Sequence, residues 1–81
     1  MQPKSQECVS FGSMVRLYRR RIGYSQEELA NEARIHRTYI GGIERGERNP
    51  TLLMIYRLAA ALNVPPSQLL ANVSEEKPYE H

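Results

Sequence analysis

A single cysteine, Cys8, cannot close an internal bridge, so this 81-residue chain is not a small disulfide-stapled fold and suits a reducing compartment. No apolar run approaches the ~20 residues of a membrane span. The N-terminal MQPKSQEC lacks the apolar core of a signal peptide. The two histidines, His36 and the tail residue His81, make no metal-ligand spacing with Cys8. There is no glycine-rich phosphate loop, no nucleophile beside a base and no pair of catalytic acids. No catalytic residue is therefore assigned, and neither metal nor cofactor is expected. No segment alternates with period two over a useful length, and none repeats. Aspartate is absent too, for no physical reason that the sequence offers.

These exclusions leave one helical domain, large enough to fold without staples but with little margin. The net charge of +2 is weak evidence for nucleic acid, but its distribution says more. Residues 1–50 carry nine Lys/Arg against six Glu, whereas residues 51–81 carry two against three. The basic excess lies on the first half.

The most structured stretch in that half is Ser25 to Arg48, SQEELANEARIHRTYIGGIERGER. Ser25 and Glu28 form the S-x-x-E capping box, and Leu29, Ala30 and Ala33 follow at helical spacing. A second short helix runs from about His36 to Arg45, with Gly46 as the residue after its end. Ile40 and Ile43 share one face of it. Thr38, Gly41, Gly42 and Arg45 fall on the other, which is small, polar and basic, as a helix in a DNA major groove would be.

This segment resembles the helix-turn-helix of the Cro and phage-repressor (XRE) type. The likeness rests on Ser25-Gln26-Glu27-Glu28-Leu29-Ala30, Ile35, Ile40, Ile43-Glu44-Arg45-Gly46 and Asn49-Pro50-Thr51-Leu52. Arg37-Thr38-Tyr39-Ile40 followed by Gly42-Ile43-Glu44-Arg45 looks especially like the small controller proteins of restriction–modification systems. The resemblance implies an all-α, compact five-helix domain of the lambda-repressor-like DNA-binding fold over residues 10–72. Residues 1–9, polar with a proline, are read as a flexible arm or as a contact to DNA or a partner, and residues 73–81 as a polar tail. It implies a cytoplasmic transcription regulator, bacterial or phage-encoded, that binds double-stranded operator DNA as a homodimer. RNA polymerase is left open as a further partner. The other function that the sequence allows is a helix-turn-helix antitoxin or protein-interaction module. A membrane is not expected as a partner.

Several residues carry the expected work. Helix one is read as Ser10 to Ile22, capped by Ser10, with Phe11, Val15, Tyr18 and Ile22 on one stripe and Gly23 ending it. By resemblance, Arg19 on this helix pairs with Glu44 on helix three, a structural bridge. Gln26 opens helix two, where free backbone N–H groups favour a phosphate, and the family uses it so; an ordinary solvated glutamine is the alternative. Arg34 stands where the family has a left-handed glycine, at a strain of about 1–2 kcal/mol. His36 stands where the family has an N-cap, and is read as a base or phosphate contact or as a plain surface residue. Arg37, Thr38 and Tyr39 start the helix that enters the groove, with Arg37 reading a base or holding a phosphate. Arg45, Arg48 and Asn49 complete the DNA-binding set, with solvation as the alternative for Arg48 and Asn49. Gly42 is read as outward-facing, letting the backbone approach DNA. Helix four, Leu52 to Leu62, is apolar over much of its girth, and Pro65-Pro66 starts helix five. Part of this apolar surplus is expected to meet a second subunit through Leu62, Leu69, Leu70 and Val73. A larger monomer core is the alternative.

Overall fold

The structure, a computed structural model, describes residues 5–73. The first four residues of the expected arm and nearly all of the expected tail, His81 included, lie outside the described residues. Among those described, the chain forms α1 (Gln6–Ile22), α2 (Gln26–Ala33), α3 (Arg37–Glu44), α4 (Leu52–Leu62) and α5 (Pro66–Leu69).

α1 begins one turn earlier than the sequence suggests. Ser5, not Ser10, is its N-cap, and its hydroxyl accepts from the Cys8 N–H at 3.0 Å. Glu7 favours the positive end of the helix dipole. The added turn also has something to pack on. A Cβ at Gly46, in the turn after α3, would lie 2.9 Å from Val9 Cα. Residues 6–9 are thus helix rather than arm, because the turn after α3 supports them. Phe11 and Val15 are buried as expected, Met14 joins them, and Tyr18 packs on the core edge. Ile22 does not complete the stripe: it is exposed, because the helix outruns the core there. Gly23, at φ 89°, turns the chain and sends its N–H to the carbonyls of Arg19 and Arg20.

The capping box of α2 forms in both directions, Ser25 Oγ accepting from Glu28 N–H at 3.0 Å and Glu28 Oε1 from Ser25 N–H at 2.7 Å. Arg34 does adopt the left-handed conformation, at φ 60°. The turn then buries Ile35, whose N–H donates to the Ala30 carbonyl. In α3, Ile40 and Ile43 point into the core with Leu29 and Leu58.

α4 starts at its Thr51 cap and ends at left-handed Asn63. α5 is a single short turn laid over α1 and α4. It is tied to α1 by Gln68 Nε2 donating to the Tyr18 hydroxyl at 2.7 Å. This closure overturns part of the expected subunit contact. Leu62 and Leu69 are 3% and 0% exposed, so both are spent on the monomer's own core and offer nothing to a partner. Leu70 stays exposed and Val73 partly so. The most exposed large apolar side chains lie instead on α4, at Leu52, Leu53 and Tyr56.

One close approach fixes where α3 sits. Gly12 on α1 is buried against the end of α3. A Cβ there would collide with the Ile43 carbonyl oxygen and lie 2.9 Å from that of Glu44. Backbone atoms cannot swing aside as a side-chain tip can. We expect Gly12→Ala to destabilise the fold by about 1–3 kcal/mol through overpacking, although alanine is otherwise better in a helix by about 0.8–1.0 kcal/mol. Denaturant titration checks this, and a gain in stability would mean that α1 and α3 separate at no cost.

Candidate nucleic-acid interface

α3 has a back and a front, and the back is electrostatic. Glu44 ends α3 with its side chain wholly buried. A buried carboxylate needs compensation on every side. Arg19 of α1 supplies most of it, through Nε to Oε2 at 2.6 Å and Nη2 to Oε1 at 3.0 Å. This two-point grip is the geometry arginine makes best with a carboxylate. Arg19 also donates from Nη1 to the Tyr24 carbonyl at 2.9 Å. Gln26 Nε2 donates to Glu44 Oε1 at 3.0 Å, and Arg16 Nε stands 3.5 Å from the same oxygen. Burial alone would push the Glu44 carboxyl up. The hydrogen bonds from Arg19 and Gln26, then the Arg19 charge and Arg16, outweigh it and hold the carboxyl below its ordinary range. The Glu44 hydrogen bond, opposed by burial and aided by its charge, holds the Arg19 guanidinium above its own. One carboxylate thus joins α1, α2 and α3.

The front is open and basic. Arg37, Thr38 and Arg45 are exposed, and with Gln26, Glu27 and Gly41 they line a concavity of about 320 Å³ between the start of α2 and the outer side of α3. Gln26 therefore faces both ways. Its amide nitrogen is engaged with Glu44, so a phosphate at this end would meet the backbone N–H groups of the first turn of α2. His36 is the N-cap of α3, its Nδ1 accepting from the Thr38 N–H at 3.1 Å. That bond requires an unprotonated Nδ1, which leaves Nε2 as the outward ring nitrogen. Arg45 Nε reaches Glu47 Oε1 at 3.0 Å in an exposed pair.

Gly42 is not open to the outside as the sequence suggests. It is buried beneath Arg48, whose Cγ would lie 2.7 Å from a Cβ at that position. The Arg48 guanidinium continues over the Tyr39 ring, 5.0 Å from its centre. Tyr39, Gly42 and Arg48 therefore form one surface, on which the aromatic face holds the cation. Asn49 follows, exposed on the loop. Among the described residues no group of three or more His, Cys, Asp or Glu could hold a metal ion, and no helix is long and apolar enough to cross a membrane.

A family model described as helix-turn-helix matches residues 15–69, the span from α1 to the end of α5. The chain belongs to the helix-turn-helix family. Among its relatives, the control protein C.SmaI of Serratia marcescens is 52% identical over 56 residues, covering 69% of this chain and 67% of that protein. The restriction-modification controller protein C.AhdI from Aeromonas hydrophila superposes with a TM-score of 0.78 at 43% identity, over 80% of this chain and 98% of that one. The controller protein C.Esp1396I, solved as a tetramer in complex with its natural 35 base-pair operator, superposes with a TM-score of 0.75 at 30% identity. That match covers 83% of this chain and 88% of that one.

Within this helix-turn-helix, sequence reasoning missed three contributors. Arg16 and the inward half of Gln26 were not assigned to Glu44. Helical spacing places Arg16 three residues before Arg19 on the same face, which is the signal that could have found it. Gly12 left no signal at all, since a glycine inside a helix announces a close approach only once its neighbour is known.

Proposed function

We propose that this protein is a sequence-specific transcription regulator that binds a near-palindromic DNA operator as a homodimer, in the manner of a restriction–modification controller, in the cytoplasm. The observation that carries the reading is the two-sidedness of α3. Its back is locked by the buried Glu44–Arg19 pair, and its front presents Arg37, Thr38 and Arg45 around a concavity. A helix held so firmly from behind is suited to press its front into a groove. Its relatives support the reading: several are named as control proteins, and C.Esp1396I is seen on its operator. RNA polymerase is the further partner such a regulator would meet at a promoter. The test is a titration of operator-length DNA against salt, with bound sequences selected from a random pool. A steep linear fall of log affinity with log salt and a recovered half-site motif are expected. Salt-insensitive binding with no preferred sequence would reject the assignment.

The second copy of the chain is expected to dock on α4. Leu52, Leu53 and Tyr56 are 70%, 60% and 56% exposed, and Leu53 and Tyr56 lie three residues apart on the side away from Leu58 and Leu62. A twofold axis through this face would set two recognition helices about 34 Å apart, one turn of DNA. Sedimentation at micromolar concentration should show a dimer. Tyr56→Glu, placing a charge at the centre of the contact, should shift it to monomer while leaving the melting of the isolated fold within about 0.5 kcal/mol, as for other surface changes. A dimer that survives this change would move the interface elsewhere.

A further inference from the structure

Three glycines lie inside helices, and their surroundings differ in kind. Gly12 faces backbone carbonyls and is required by the packing of α1 on α3. Gly42 lies under the stem of Arg48. Gly41 meets neither. The nearest atoms to a Cβ there would be Arg45 Nη1 at 3.0 Å, Gln26 Oε1 at 3.7 Å and Arg45 Cζ at 3.8 Å, all at the far ends of flexible side chains. The fold therefore has no need of glycine at this position, yet glycine weakens an eight-residue helix there.

We propose that Gly41 is a specificity-determining residue. Its missing side chain seats the Arg45 guanidinium across α3 and leaves the floor of a socket that takes the edge of one G·C base pair. This rests on the DNA-binding reading above and refines it. The socket is the concavity of about 320 Å³ lined by Gln26, Glu27, Arg37, Thr38, Gly41 and Arg45. α3 and its C-cap contribute the guanidinium donors of Arg37 and Arg45 to its lining, and they match the O6 and N7 acceptors that guanine shows in the major groove. α2 contributes the Glu27 carboxylate and the Gln26 carbonyl oxygen, and either can accept from the N4 amino group of the paired cytosine. Arg45 is held in this pose from two directions: Glu47 Oε1 accepts from its Nε at 3.0 Å, and its Nη1 lies over the space that a side chain at residue 41 would fill. Exposed pairs contribute little stability, but this one restricts which way the guanidinium points. A methyl group on residue 41 would lift the guanidinium and fill the socket floor together.

Selection from a random DNA pool by the full chain and by Gly41→Ala, with thermal melts of both, tests the assignment. Gly41→Ala should fold and melt at or above the original, since alanine favours the helix and only a side-chain tip must move. It should nevertheless lose preference at one G·C pair in each half-site, with about ten-fold weaker binding per half-site, the scale of one lost bidentate base contact. Arg45→Ala should relax the same position, and the double change should relax no other. Selection of the same motif with undiminished affinity by Gly41→Ala would overturn the proposal. So would a lowered melt, which would make the glycine a packing requirement. An original chain that selects no motif overturns the DNA-binding reading itself, and is told apart because it needs no variant.

Discussion

Glu44→Ala should be among the most damaging single changes in this protein, with a loss of about 3–5 kcal/mol of stability, the usual cost of leaving one member of a buried ion pair behind. The reason lies in what remains. Arg19 keeps its hydrogen bond to the Tyr24 carbonyl, and its side chain is 12% exposed. A guanidinium that far from water cannot recover its hydration without moving α1. Gln26 loses its acceptor as well, so the start of α2 loosens with it. Replacing Arg19 and Glu44 together by leucine should cost less than Glu44→Ala alone, because no charge is left stranded. Equilibrium unfolding of the two singles and the double decides. A neutral Glu44→Ala would show that the pair adds nothing to the fold.

The same pair sets an acid limit. Glu44 is held below its ordinary value of 4.5 in the folded chain. A group depressed on folding contributes fully above its unfolded value and loses that contribution as pH falls through its folded one. The stability gap between the original chain and Glu44→Gln should therefore be constant from neutral pH down to about 4.5 and narrow only below it. A gap that closed between pH 7 and 6 would place the titrating group elsewhere.

How much of this was visible in the residues depends on the range of the interaction. Local chemistry was legible. The Ser25–Glu28 box, the Thr51 cap and the glycine stops follow from residues within four positions of one another, whereas the left-handed turn at Arg34 was legible only through resemblance. The bridge between Arg19 and Glu44 was legible only through resemblance, since 25 residues separate them. Contacts set by how helices cross were not legible. The start of α1 was misplaced because Ser5 and Ser10 are equally good caps, and what decides between them is Gly46 packing on Val9. The apolar surplus of α4 and α5 is legible in the residues, but its division between core and surface is not. Leu62 and Leu69 share the helix-wide apolar pattern with Leu53, and only the path of α5 across α1 shows which of them is already covered. Gly42 was placed on the correct side of α3, but nothing in the sequence shows Arg48 folding back over it.

Arg37→Ala should give the largest loss in operator binding. Arg37 is the first residue of α3, exposed, and part of the wall of the concavity. It is therefore at the end of the helix that enters the groove first. A guanidinium can give two parallel hydrogen bonds to guanine O6 and N7, and removing one such contact costs about 1–3 kcal/mol. In a dimer the loss occurs at both half-sites, so the complex should weaken by roughly 2–6 kcal/mol in all. Folding should hardly change, because Arg37 is exposed and alanine favours the helix. A phosphate-holding arginine would fail differently. It would weaken every sequence alike and lower the salt slope by about one per half-site. A base-reading arginine should instead relax preference at a single pair in each half-site. The two are separated by measuring Arg37→Ala against the operator and its single-base variants at several salt concentrations. Uniform weakening with the guanine preference intact would transfer base reading to Thr38, Arg45 and the socket beside them.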